Sequence, residues 1–241
     1  MANNVLLNNV AHQNLKVITR FSADFGENVG SVTAFPTEFI ELQKEYPILF
    51  RQSPETKKYH AIALLGLHQG ENLFLNPNAK AGWNANYVPA VLAKGPFLIG
   101  LQSRDSSNSN APVIHINLDH PKVSEQEGYP LFLEYGGNSP YLNHIASILE
   151  IIHEGVAVQD RMFNLFSELD LIQPINIEID LNNGEKYKLL GNHTINQQKL
   201  NGLTGDQLER LNKLGFLPLA YAVITSMTNI RKLTEIKNSN K

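Results

Sequence analysis

The sequence predicts an α+β protein: a mixed or antiparallel sheet with a long amphipathic helix, a β-hairpin and two C-terminal helices. Three observations point there. Short apolar runs broken by turn residues fill the stretch from Ile48 to Asp119. From Ser139 onward, apolar residues recur at steps of three and four, which is helical spacing. Residues 174–196 then alternate apolar and polar around "NNG", a strong local hairpin signal.

Taken in order, Pro36 and Thr37 precede a helix-forming run, so a helix is expected over 37–45, with Thr37 as its cap and Glu38 near its positive end. Pro47 cannot continue it. "ILF" and "KYHAIALLGLH" read as two strands around the turn "RQSPETK", and "NLFLN" as a third short strand. "FLIGLQ" and "VIHINLD" follow as strands on either side of the polar loop "SRDSSNSNAP". The long helix spans 139–169, with Leu142, Ile145, Leu149, Ile152, Val156, Phe163 and Phe166 as its apolar stripe and Gln159 as an interruption. Gly155 within it costs about 1 kcal/mol relative to alanine, which predicts a slight kink or a close crossing. "TGDQLERLNKLG" is a short helix capped by Thr204 and stopped by Gly215. The last helix runs through "PLAYAVITSMTNIRKL", and "KNSNK" is expected to fray. With no repeat and no long linker, 1–241 reads as a single domain with a sheet-rich lobe at 30–135 and a helix–hairpin–helix lobe at 139–237. The hairpin is expected to join the first sheet.

Composition removes several functions. A 42% hydrophobic, 18% charged chain can bury a core, and a net charge of −3 gives no basic face for nucleic acid or an anionic membrane. The absence of cysteine excludes disulfides, thiolate nucleophiles and zinc–thiolate sites. The longest apolar run, 216–227, falls short of the roughly 18–20 residues that span a bilayer, so no membrane span is expected. The start of the chain has no basic, apolar leader, which makes a cytoplasmic location the expectation.

Catalytic motifs are equally sparse. Glu150 and His153 stand at i and i+3, but bundle metal sites need two such pairs and the chain has one, so no metal or cofactor is expected. In "HINLDH", His115, Asn117 and Asp119 share one side of a strand and could serve acid–base chemistry, although a polar outer strand face is the simpler account. "GGNSP" is not a nucleophile elbow, and neither a phosphate loop nor a dinucleotide fingerprint occurs. There remains the stretch 70–100. Trp83, Tyr87 and Phe97 supply aromatic surface, Asn84 and Asn86 supply amides, and Pro89 and Pro96 stiffen the backbone. Such a block suits a concave site for a small apolar or sugar-like ligand, and it suits a structural corner.

The run "TEFIELQKEYPILF", then "LLGLHQGENLFLN", then "GWNANYVPA" followed by "GPF", resembles the bacterial SapC family of soluble proteins. The resemblance continues through Asp119, "EGYPLF", "NSPYL", "NNG", "LLG" and "SMTNIRKL", and so covers nearly the whole chain. Two departures stand out: Ala93, Lys94 and Gly95 replace the family's paired arginines and tyrosine, and Val223 replaces a frequent histidine. Lys94 alone cannot reproduce bidentate arginine geometry, which weakens any anion site there. The peptide-transporter permease of the same name needs membrane spans that this sequence lacks.

The resemblance implies an accessory role linked to nutrient-uptake loci with halogenase-like flavoenzymes, and no established activity. The leading expectation is a non-enzymatic protein binding a small molecule or a protein partner through Trp83, Tyr87, Asn72 and Asn84, with Lys94 and Asp119 completing the candidate set. An enzyme using Asp119 and His115, or a surface-layer structural protein, are the alternatives. The apolar face of the long helix suits packing within the chain or across a homodimer axis.

Overall fold

The computed structural model describes residues 3–102 and 111–239. In chain order the elements are β1 (Asn4–Leu6), β2 (Lys16–Val17), β3 (Ser31–Ala34), α1 (Phe39–Leu42), β4 (Ile48–Gln52), β5 (Tyr59–Leu64), α2 (Ala90–Ala93), β6 (Phe97–Gln102) and β7 (Ala111–Asn117). There follow β8 (Val123–Ser124), β9 (Tyr129–Pro130), α3 (Pro140–Glu168), β10 (Ile172–Asp180), β11 (Lys186–Ile195), α4 (Gln197–Asn201), α5 (Gly205–Lys213), α6 (Phe216–Ser226) and α7 (Asn229–Ser239). This is an α+β architecture with antiparallel sheets.

The largest sheet has the order β10-β11-β4-β5-β3, so the late hairpin does join the early strands, meeting β4 where His193 pairs with Phe50. Two smaller sheets, β1-β7-β6 and β8-β2-β9, lie apart from it. At about 1.5 Å per residue the 29-residue α3 is roughly 44 Å long, enough to serve two cores. Its C-terminal part packs Phe163 edge-on against Phe50, with ring centroids 4.9 Å apart, over the large sheet. Its N-terminal part packs Leu142, Ile145 and Leu149 with Phe97, Ile116 and Leu131 over the small sheets. Much of its apolar face thus packs within the chain. Ser139 accepts the Leu142 amide at 3.1 Å and Pro140 follows at the first helical position, which fixes where α3 starts.

Several sequence expectations need correction. The first helix is a 3-10 turn over Pro36–Glu38 followed by α1, and it ends at Leu42. Thr37 does not cap it: its hydroxyl donates to the Ile151 carbonyl at 2.7 Å, while Glu38 Oε1 accepts the Phe35 amide at 3.0 Å. "NLFLN" is not a strand. Asn72 Oδ1 accepts the Phe74 amide and turns the chain, leaving only an isolated bridge between Leu75 and Trp83. Val156 is 56% exposed rather than part of the buried stripe. Gly155 is buried in its place, because a Cβ there would sit 2.5 Å from Phe35 Cβ and 2.7 Å from Thr37 Oγ1. The close crossing is therefore present, and the helix continues through it.

The last helix is two. It breaks after Ser226, where Asn229 Nδ2 turns aside to donate to the carbonyls of Gln43 and Tyr46. Of the segment expected to fray, residues 237–239 belong to α7, and residues 240–241 lie outside the described residues. The capping of α5 by Thr204 is as expected, and α4 ahead of it has no counterpart in the sequence reading. Strands β1, β2, β3, β8 and β9 were also missed, since two to four residues are too few to show a period. Residues 103–110 of the expected polar loop lie outside the described residues.

Candidate functional site

The Trp83 stretch divides between interior and surface. Trp83 is 4% exposed, stacked on Phe74 at 5.9 Å and edge-on to Phe21 at 5.3 Å. Its indole Nε1 donates to the Tyr46 hydroxyl, which donates to the Tyr87 carbonyl. Asn72 is likewise buried, with Nδ2 donating to the Glu27 carbonyl at 2.8 Å and its amide donating to Asn28 Oδ1 at 2.9 Å. Both residues hold loops together. Asn84 is exposed, and its amide donates to the Phe74 carbonyl at 2.8 Å.

Lys94 folds back onto its own turn, donating to the Phe97 carbonyl at 3.2 Å, and burial lowers its pKa. Asp119 is exposed beyond β7, where Oδ2 accepts the Asn3 amide at 3.1 Å. His115 lies within β7 against Gly100. No hydrogen bond joins Asp119 to His115 among the described residues, and neither lines any of the three cavities described below.

Tyr87 is the member of the expected set that faces a cavity. A cleft of about 750 Å³ opens between the 86–95 segment, the β2–β9 pair and the first turns of α3. Tyr141, His144, Ile145 and Ile148 line it from α3 at a spacing of three, four and seven, which puts all four on one helix face. Tyr87, Ala90 and Ala93 form the opposite side, with Phe21 in the wall. Tyr129 and Leu133 are exposed at its rim, and the Tyr129 ring lies 6.0 Å from that of Tyr141. The lining is mainly apolar and aromatic, with few polar groups.

Buried ionisable groups brace this cleft. Glu38, 2% exposed, accepts the Tyr87 hydroxyl and the Ala90 amide on Oε2, each at 2.9 Å. Burial raises its pKa, against the opposing pull of those donors. Lys122, 3% exposed, is paired with Glu27, and its Nζ lies 4.2 Å from the Phe21 ring centroid. Burial pushes Glu27 up and Lys122 down, each offset in part by the other. Glu45 receives both the amide and the Nδ2 of Asn86 on Oε1 and Lys232 on Oε2. Burial works to raise its pKa, but Lys232 and Asn86 hold it below the ordinary value. The acids and the lysine near the cleft are thus already engaged with protein partners, which suits a rigid binding wall.

Sequence reasoning missed Tyr141, Phe21, Lys122, Glu27 and Glu38. The helical spacing of Tyr141, Ile145 and Ile148 was readable, but an apolar helix stripe reads as core until its cover is known. Lys122 had no local signal. A second cavity of about 720 Å³ lies at β3, β4 and β11, and a third of about 290 Å³ has Glu150, His153 and Glu154 in its lining. Among the described residues, no group of three metal-ligating side chains assembles. No described helix is long and apolar enough to cross a membrane.

A family model described as SapC matches residues 7–233. No curated protein and no solved structure matches the chain.

Proposed function

The chain belongs to the SapC family, and from that premise we propose that it is a non-enzymatic accessory protein that takes a small, largely apolar molecule into the cleft between α2 and α3. The observation that carries this reading is the cleft itself. Its volume of about 750 Å³ lies within the roughly 300–1,000 Å³ common for small-molecule sites. Aromatic rings from three separate segments, Phe21, Tyr87 and Tyr141, offer flat faces for a ring or chain. Few polar groups are present to hold a heavily hydroxylated ligand, so the geometry favours an aromatic or aliphatic body over a sugar. We take the cytoplasm as the working location.

An environment-sensitive apolar dye, titrated into the purified protein and displaced by a panel of aromatic amino acids, flavin, sugars and short peptides, tests the reading. Saturable one-to-one binding is expected, weakened at least tenfold by Ala93→Phe, which fills the cleft from its half-buried wall. Unsaturable dye binding, or binding indifferent to Ala93→Phe in a variant that melts like the native protein, would overturn it.

A further inference from the structure

The second cavity differs in chemistry from the first. Arg51 on β4 enters it half-buried, with Nε donating to Asn192 Oδ1 and Nη1 to Ser31 Oγ, each at 3.2 Å. Three strands supply this cluster: β3, β4 and β11. A guanidinium carries five N–H donors in a planar fork, and these two bonds leave three of them for another acceptor. Among the described residues no carboxylate pairs with Arg51, and no aspartate or glutamate appears in the cavity lining.

The neighbouring cation is already balanced. Lys188 pairs with Glu178 at 2.7 Å, and Glu71, the acid nearest His68, is held by Lys237 at 2.5 Å. The cavity wall is also built closely. A Cβ at Gly30 would stand 2.3 Å from the His68 carbonyl oxygen, so only glycine lets the 66–70 loop close over the start of β3. Asn28, Ser31 and Asn192 add neutral polar groups to the lining. The result is a cavity of mixed polar and apolar lining that includes one half-buried guanidinium with no carboxylate partner among the described residues. Burial lowers the Arg51 pKa, the direction expected for a cation that lacks a counter-charge.

We propose that this cavity binds a small oxyanion, a carboxylate or phosphate group, on the Arg51 fork with Ser31 and Asn192 holding the guanidinium in place. The planar fork matches both kinds of oxyanion by paired N–H donors, which a lysine could not reproduce. The site is distinct from the apolar cleft and does not rest on it.

The test is calorimetric titration of the native protein with inorganic phosphate and, separately, with succinate, at constant ionic strength set by chloride. Saturable binding of either one is expected, and which one binds identifies the source of the oxyanion. Arg51→Gln should lose that binding, Arg51→Lys should weaken it at least tenfold, and Ala93→Phe in the other cleft should leave it unchanged. Should Arg51→Gln fail to fold by circular dichroism, Arg51→Lys decides, because it keeps the charge and loses only the fork. Absence of saturable binding by both anions, or an Arg51→Lys protein that binds as tightly as the native one, would overturn the proposal.

Discussion

The indole Nε1 of Trp83 donates to the hydroxyl of Tyr46 at 2.9 Å, and the same hydroxyl donates to the backbone carbonyl of Tyr87. A residue in the turn between α1 and β4 thereby fixes both the buried and the cleft-facing aromatic of one loop. Burial holds the Tyr46 hydroxyl far above its ordinary pKa, so it remains a donor throughout the accessible pH range.

Tyr46→Phe should be substantially destabilising for that reason. It leaves the buried indole N–H without an acceptor and the Tyr87 carbonyl without this donor, and an unsatisfied buried group costs about 1–3 kcal/mol. A loss of about 2 kcal/mol is expected in urea unfolding followed by Trp83 emission. An unchanged midpoint would mean that solvent reaches the loop.

Glu38 should tie stability to pH. Its folded pKa is raised above 4.5, chiefly by burial, so the folded chain holds this proton longer than the unfolded chain does. The resulting stability is fully present below the ordinary carboxylate value and is lost as pH rises through the raised one. Glu38→Gln has no such proton, and its amide N–H₂ must face donors from Phe35, Ala90 or Tyr87. The native protein should therefore be the more stable of the two, by a margin that narrows as pH rises from 4.5. Urea midpoints across that range check the sign, and a margin that widens with pH would contradict the assignment.

Gly155→Ala sets helix propensity against packing. The substitution gains about 1 kcal/mol within α3. It must also displace Phe35 and Thr37 from a helix crossing that leaves no room for a methyl group, and overpacking of this kind costs about 1–3 kcal/mol. A net loss of about 1 kcal/mol is expected by thermal unfolding, whereas a gain would show that the 35–37 segment yields easily.

Legibility in the sequence followed the length of each pattern. The α3 stripe and the NNG hairpin repeat over many residues, and the structure places both within a residue or two of expectation. The break between α6 and α7 was invisible because it depends on Asn229 reaching the carbonyls of Gln43 and Tyr46, far away in sequence. Val156 and Gly155 make the same point on a smaller scale: period fixes a helix face to within a residue, and only the crossing segment decides which residue is covered.

The sequence by itself determined the α+β class, the long helix, the hairpin and the family, because these depend on local periodicity and on blocks in a fixed order. Tertiary structure alone decided that Trp83 and Asn72 turn inward while Tyr87 faces a cleft. It also decided that Ser31, Arg51 and Asn192 meet across three strands. The physical reason is that composition specifies which groups a segment carries, whereas burial and pairing depend on what distant segments pack against them.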